Sequence, residues 1–483
     1  LSANVVDLCP VGALTSKPYV FEARPWELKK TESIDVMDAV GSNIRIDTYG
    51  WEVKRILPKI NENINEEWIS DKTRYACDGL KYQRLDTPYI RSNEGFKKIS
   101  WEDAYGSLID KIKSTNPDKI GCITGDLTNM ETLFSVKELF SKVFNCKNLD
   151  SRPVKTYVNN SSRTNYIFNT QILNIEKSDF ILLVGTNPRH EATILNSRIR
   201  KSYLKNNTEI YSLNDVGDLT YPYKVISNNT DELKKIILNE HEASKKIISA
   251  KNPIIIFGQS ALKLNSSAYL FEGMKNFLLE NNKINDDWNA LNVLSNNAST
   301  VGAYDLDILD DETIDKVLSN QFELIFLFGQ DNLNINKKNE FIVYIGTHGD
   351  RGAEMADLIL PSAAYTEQDG YYTNLEGNLQ LAFKASYPPG EAKEDWEIVN
   401  ELSNKLKGKS LYTNKQELID NFFNYLNQKT KKNDELIKSD FLKEEIFIDK
   451  IDYYFTNVIT RSSKTMAECR NLKLNSLKTG TDG

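Results

Sequence analysis

Cysteine is scarce and dispersed: five residues among 483, at positions 9, 77, 122, 146 and 469, with no C-x-x-C anywhere. That excludes a disulfide framework, and it excludes an iron–sulfur or zinc site built from this chain's thiols alone. Dispersed, reduced thiols suit a cytosol or a mitochondrial matrix. Histidine is scarcer still. His190, His241 and His348 lie far apart and form no ligand spacing such as H-x3-H. No basic block interrupts a chain of net charge -8, so a nucleic-acid partner, which needs concentrated positive charge, is excluded. Long apolar runs are missing too. The longest, at 180–184 and 324–328, fall far short of a bilayer span, so any membrane is reached only through partner subunits. There is no P-loop, no G-x-G-x-x-G and no nucleophile beside an activating base.

What the chain does hold is an ordinary globular composition, 40% hydrophobic and 27% charged, long enough for two or three domains. Strand-like runs at 43–48 and 52–57 flank Tyr49-Gly50, a hairpin turn. Ser100 precedes Trp101-Glu102-Asp103, a capped helix start, with Leu108, Ile109 and Ile112 as its apolar stripe. A short strand at 119–124 and a helix carrying Leu133, Val136, Phe140 and Val143 follow. Strand–turn–helix then recurs from 179, 209, 253, 323 and 341. Apolar strands alternating with amphipathic helices predict an α/β fold, doubly wound on mainly parallel sheets. A small β region precedes this body and a helical tail follows it. In the tail, Thr413 and Gln416 predict a capping box, Leu418, Ile419, Phe422, Phe423 and Leu426 repeat at helical spacing, and the charged stretch 429–443 reads as solvated.

Three places carry chemical interest. The first is Leu8-Cys9-Pro10-Val11-Gly12-Ala13-Leu14-Thr15. A thiolate followed by proline is how a ferredoxin-type ligand run ends. Proline fixes φ, and the small residues after it let backbone amides approach a cluster. On residue type alone, a buried thiol near a turn is the commoner outcome. The second is Gly185-Thr186-Asn187-Pro188-Arg189, where a strand hands over to a helix with Asn187 at the cap and Pro188 at the first position. Such a turn suits an anion, though any helix needs a good cap. The third is Ala356-Asp357-Leu358-Ile359-Leu360-Pro361, followed by Glu367, Gly370 and Asn374-Leu375-Glu376-Gly377-Asn378.

The phrases Asp7-Leu8-Cys9-Pro10-Val11-Gly12-Ala13-Leu14, Ala23-Arg24-Pro25-Trp26-Glu27, Glu32-Ser33-Ile34-Asp35-Val36-Met37-Asp38-Ala39-Val40-Gly41-Ser42-Asn43 and Asn65-Glu66-Glu67-Trp68-Ile69-Ser70-Asp71-Lys72-Thr73-Arg74 resemble the large iron–sulfur subunit family of respiratory complex I. The likeness continues to Ile459-Thr460-Arg461-Ser462-Ser463 and so covers nearly the whole chain. It implies that Cys9 is the fourth ligand of a [4Fe-4S] cluster whose other three thiolates come from a C-x2-C-x2-C run absent here. It further implies a molybdopterin-oxidoreductase-like body. In that wider superfamily a C-x2-C-x3-C run and a later cysteine hold a second cluster. Here the matching positions are Ser33, Val36, Val40 and Ser70, none of them a thiolate. The superfamily signature D-x-x-L-P…E…G…N-x-E-G-R ends in Asn378 instead of arginine, removing a planar fork suited to phosphate. No cysteine or histidine stands at 148–169, where a molybdenum ligand is expected; Ser151, Ser161 and Ser162 remain.

The resemblance implies a complex I peripheral-arm subunit that supports NADH-to-ubiquinone electron transfer. It would be part of an oxidoreductase without a complete active site of its own. Expected partners are other peripheral-arm subunits, among them a separate chain carrying C-x2-C-x2-C that shares the [4Fe-4S] cluster; neither molybdenum nor pterin is expected. The matrix side of the mitochondrial inner membrane is the expected location, with the cytoplasmic face of a bacterial membrane as the alternative. The rival functions are a formate-dehydrogenase-like molybdopterin enzyme and a structural remnant with no cluster. Expected boundaries are 1–27 for the end of a cluster domain, 28–85 for the small β region, 86–250 and 251–410 for two α/β units, and 411–483 for the tail. The opening inside a family phrase suggests the C-terminal piece of a longer subunit.

Overall fold

The computed structural model describes residues 1–429 and 439–478, with side chains to 475. Two parallel sheets form its body. The first has five strands, all parallel, in the order β10-β9-β8-β11-β12. These are β8 (Phe180–Val184), β9 (Glu209–Leu213), β10 (Lys224–Val225), β11 (Pro253–Gly258) and β12 (Leu291–Leu294). The second has seven, in the order β5-β4-β15-β14-β13-β6-β7. Its parallel part comprises β6 (Ile120–Thr124), β7 (Leu149–Asp150), β13 (Leu324–Phe328), β14 (Phe341–Gly346) and β15 (Leu358–Pro361). An antiparallel hairpin, β4 (Tyr89–Ser92) and β5 (Gly95–Lys98), extends one edge.

Every residue of β6, β8, β11 and β13 is buried, as continuous apolar runs require when helices cover both faces of a sheet. Sheet membership does not divide at residue 250. β8 and β9 share a sheet with β11 and β12, while β6 pairs with β13 across the whole intervening segment. The five-stranded unit is thus inserted into the seven-stranded one. Apolar runs of equal strength do not state which sheet they join, because a crossover can return to either.

The small β region is an antiparallel sheet of β1 (Lys29–Ile34), β2 (Asn43–Tyr49) and β3 (Glu52–Pro58). Gly50 turns the hairpin in the left-handed region, at φ 61°. A two-stranded ribbon, β16 (Gly370–Thr373) with β17 (Leu379–Ala382), carries the signature segment beside it. Ser100 caps the helix Trp101–Ser114 by accepting from Asp103 N–H at 3.1 Å. The helix Met130–Glu138 runs on into a π-helical turn, Leu139–Phe144, which keeps Phe140 and Val143 in the core.

In the tail the cap sits one residue later than its sequence suggests. Asn414 accepts from Glu417 N–H, Glu417 reaches back to Thr413, and Gln416 bonds Asp420 instead. Asparagine is at least as good a cap as threonine, and the carboxylate of Glu417 accepts more strongly than a glutamine amide. Much of the charged stretch 429–443 lies outside the described residues. Lys429 itself is not simply solvated, for it reaches the carbonyls of Tyr304 and Asp305 and pairs with Asp307 at 3.0 Å. Residues 441–457 then run as an extended strap. The Ile446 N–H donates to Asn228, and Glu444 accepts from the amides of Asn265 and Ser266. No helix among the described residues is long and apolar enough to cross a membrane.

Candidate functional site

Cys9 closes a short helix, Asn4–Leu8, that is pinned to the segment 69–74. The Asn4 side chain donates to the Ile69 carbonyl at 2.8 Å and accepts from Ile69 N–H at 3.2 Å. Asp71 accepts from the Leu1 amino group and from Ala3 N–H, while Arg74 bridges Asn4 and Asp7. With the helix held, the turn after Pro10 keeps its backbone amides near the sulfur, and the amide of Leu14, with lesser help from Val11, Ala13 and Gly12, holds the thiol below its ordinary value against desolvation. Gly12 adopts φ 66°, and open space lies where its Cβ would be, so glycine is needed there for backbone conformation alone. Val5, Leu8, Val11 and Leu14 leave large apolar surface uncovered around the half-exposed thiol. A half-exposed thiol, lowered by nearby backbone amides, fits one corner of a cluster.

The other thiols differ in kind. Cys77 is buried, donates to the Arg74 carbonyl at 3.6 Å and is pushed up to about 12 by burial. Cys122 lies inside β6 with its thiol raised well above the ordinary range, and burial raises Cys146 to about 11. Cys469, on the C-terminal helix Lys464–Lys478, is raised as well. Among the described residues no group of three His, Cys, Asp or Glu side chains could hold a metal ion.

Ser33, Val36, Val40 and Ser70 are all buried. Ser70 caps the helix Asp71–Tyr75 and bonds Thr73, whose hydroxyl donates to Asp35 at 2.7 Å. Buried Asp38 and Lys72 stand in the same place. Packed valines and a small polar network fill the position, and no cluster fits there.

A cavity of about 480 Å³ opens where the strands of both sheets end at their carboxyl termini, the place where such folds bind ligands. Lys72, Asp126, Arg152 and Asn297 line it, but so do residues 449–457 of the strap. At the Gly185–Arg189 turn the donors are already engaged. Glu191 accepts from Asn187 N–H at 2.9 Å and from the Thr186 hydroxyl. In the signature segment Asn374 Oδ1 accepts from the amides of Glu376 and Asn378, and the Asn378 amide group donates to Glu376 at 2.9 Å. Ser151 donates to the Ile308 carbonyl, Ser161 to Asn159, and Ser162 shares a hydrogen bond with Thr164. In all three places the polar side chains bond within the chain itself.

His348 is fully buried, between Thr347 and the Gly79 carbonyl at 3.0 Å, and burial depresses it to about 3. Burial has the opposite effect on carboxyls, raising Glu131, Glu191, Asp331 and Asp395 to about 7 and Asp126 to about 6. A carboxyl raised in the folded state contributes stability that is lost as pH rises through its folded value. His348 works the other way, but its contribution is complete above the unfolded value of about 6.5. The thermal midpoint is therefore expected to fall between about pH 6 and about pH 8, the acids dominating. Calorimetry showing a rising midpoint over that window would contradict this balance.

Comparison with known proteins fits these pieces together. Residues 84–405 match the family described as Molybdopterin oxidoreductase, and residues 420–469 match the C-terminal domain of the NADH-ubiquinone oxidoreductase G subunit. Residues 28–78 match the NADH-ubiquinone oxidoreductase NDSU1/NuoG-like 4Fe-4S domain, which supports an iron–sulfur cluster, although Cys77 is the one cysteine in that range. The fold is shared with acetylene hydratase from Pelobacter acetylenicus, at a TM-score of 0.58 and 11% identity over 91% of this chain and 78% of that one. The G subunit of NADH-quinone oxidoreductase from Rickettsia bellii is 42% identical over 98% of this chain and 70% of its own length. The NADH-ubiquinone oxidoreductase 75 kDa subunit of Reclinomonas americana is 41% identical over 98% and 73%. For the mitochondrial 78 kDa subunit of Candida albicans the figures are 42%, 97% and 68%. The chain belongs to the family of the NADH-quinone oxidoreductase G subunit, the 75-kDa subunit of its mitochondrial relatives, and it is an electron-transfer subunit of complex I.

Proposed function

We propose that this chain supplies one thiolate, Cys9, to a [4Fe-4S] cluster completed by three thiolates from a C-x2-C-x2-C run that lies outside the present sequence. The observation that carries this reading is a half-exposed cysteine at the end of a pinned helix, its thiol lowered by the amides of the small-residue turn that follows, whereas burial raises the other four. When bound, the cluster would supply one-electron transfer along the route from NADH to quinone. The chain's own part is to fix the thiolate. Asn4, Asp71 and Arg74 hold the helix that ends in Cys9, and the amides of residues 11–14 stabilise negative charge on sulfur. The uncovered Val11 and Leu14 place the apolar wall of a cluster site where the partner must close it.

The α/β body serves as a scaffold without molybdenum or pterin, on the matrix side of an inner membrane or the equivalent face of a bacterial one. Three features support that reading: the strap lining the cavity, the donors of the 185–189 turn spent on Glu191, and Asn378 in the arginine position. Elemental analysis of the purified complex should return iron with no stoichiometric molybdenum or tungsten. Either metal at one per chain would revive the formate-dehydrogenase-like alternative.

A further inference from the structure

The three-stranded sheet ends in an open edge. β1 pairs with β2 on one side only, leaving the backbone donors and acceptors of its outer edge without a strand partner. A cleft of about 470 Å³ runs along that edge, with Lys29, Lys30 and Thr31 on one wall and residues 383–387 on the other. Tyr387, on that second wall, is 67% exposed, and the Ser386 hydroxyl joins this segment to the hairpin tip by donating to the carbonyl of Trp51, itself 74% exposed. Phe383 and Tyr49 add further exposed apolar area.

The charge is equally uneven. This acidic chain gathers Lys29, Lys30 and Lys384 around one cleft, and no ion pair among the described residues takes any of the three. Of the two carboxylates on the cleft wall, Glu32 pairs with Lys59, and Asp369 accepts from the Lys384 backbone amide. The buried Thr31 hydroxyl, on the same wall, has no hydrogen-bond partner. Lysines alone could guard an edge strand against aggregation. A guarded edge, however, has no use for a cleft between it and exposed Phe383 and Tyr387, aromatic types enriched in protein contacts.

We propose that this cleft receives an extended, acidic segment of a neighbouring polypeptide of the complex, added beside β1 as a fourth strand. Strand addition satisfies the open backbone edge, carboxylates on the segment neutralise the three lysines, and Phe383 with Tyr387 anchors its apolar positions. The site lies apart from Cys9 and does not depend on the cluster reading.

A zero-length carbodiimide reagent, which joins lysine amines directly to carboxylates, tests this on the assembled complex. Peptide mass spectrometry should find Lys29, Lys30 or Lys384 linked to Asp or Glu within one stretch of another polypeptide. Amide exchange at residues 29–32 should be at least roughly tenfold slower in the complex than in the isolated chain. The double variant Lys29→Glu with Lys384→Glu, the first at an exposed and the second at a half-buried position, should keep its thermal midpoint and lose the links. Links only to this chain's own carboxylates would overturn the proposal, as would equal exchange in the two forms or labelling of Trp51 by a photoreactive lipid in the bilayer.

Discussion

Replacing Glu367 by alanine is expected to cost about 3–5 kcal/mol of stability, the penalty for leaving one partner of a buried ion pair without the other. Arg84 and Glu367 are both buried and meet in a two-pronged contact, at 2.5 and 2.6 Å. Arg84 also donates to the carbonyls of Thr347 and Leu80, and Glu367 accepts from Ala364 N–H at 2.8 Å. The loss therefore strands a buried guanidinium and a backbone amide together. Glu367 belongs to the segment that follows β15, whereas Arg84 ends the stretch that carries the Cys9-bearing region. The pair is thus one of the ties between the N-terminal unit and the body, beside the His348 bond to Gly79. Glu367→Gln, which keeps an acceptor and loses the charge, should cost less. Chemical denaturation of the two variants checks the order, and a loss under about 1 kcal/mol for the alanine variant would show the pair to be dispensable.

That role for Glu367 is legible in the sequence only as membership of a signature. The residue follows D-x-x-L-P, but its partner lies 283 positions away. The same split runs through the molecule. Features set by neighbours in the chain read directly: the apolar run at 180–184, the caps at Ser100 and Asn187-Pro188, the turn at Gly50. Features set by distant partners do not. β6 and β13 pair because both are five-residue apolar strands with compatible crossovers, and nothing local favours that pairing over one with β8. At the candidate site, Cys9 stands out by its proline and small residues. Asn4, Asp71 and Arg74 do not, because an asparagine cradled by the Ile69 backbone is indistinguishable in sequence from an asparagine at the surface. His348 follows the apolar strand β14, and its neighbours in the chain do not state its surroundings. It is hydrogen-bonded, but fully buried, because Gly79 supplies an acceptor from a distant helix.

The second large effect belongs to Cys9. Alanine there removes the thiolate proposed as the fourth ligand, and a [4Fe-4S] cluster left with three is expected to be converted or lost. Electron transfer from NADH to quinone should slow in the assembled complex while the chain itself stays folded, since Cys9 is half-exposed and the helix before it is held by Asn4, Asp7 and Asp71. Alanine at Cys77, Cys122 or Cys146 should do the reverse. Each removes a buried sulfur from packing, costs about 1–2 kcal/mol of stability, and leaves every cluster in place. Cys469, on a partly exposed helix face, should matter less still.

Low-temperature electron paramagnetic resonance of the reduced, assembled complex carrying Cys9→Ala is the most direct measurement. One [4Fe-4S] signal absent or replaced by a three-iron signal, with the remaining signals intact and the other four cysteine variants unchanged, is the result that Cys9 ligation predicts. All cluster signals at full strength in the Cys9 variant would contradict it.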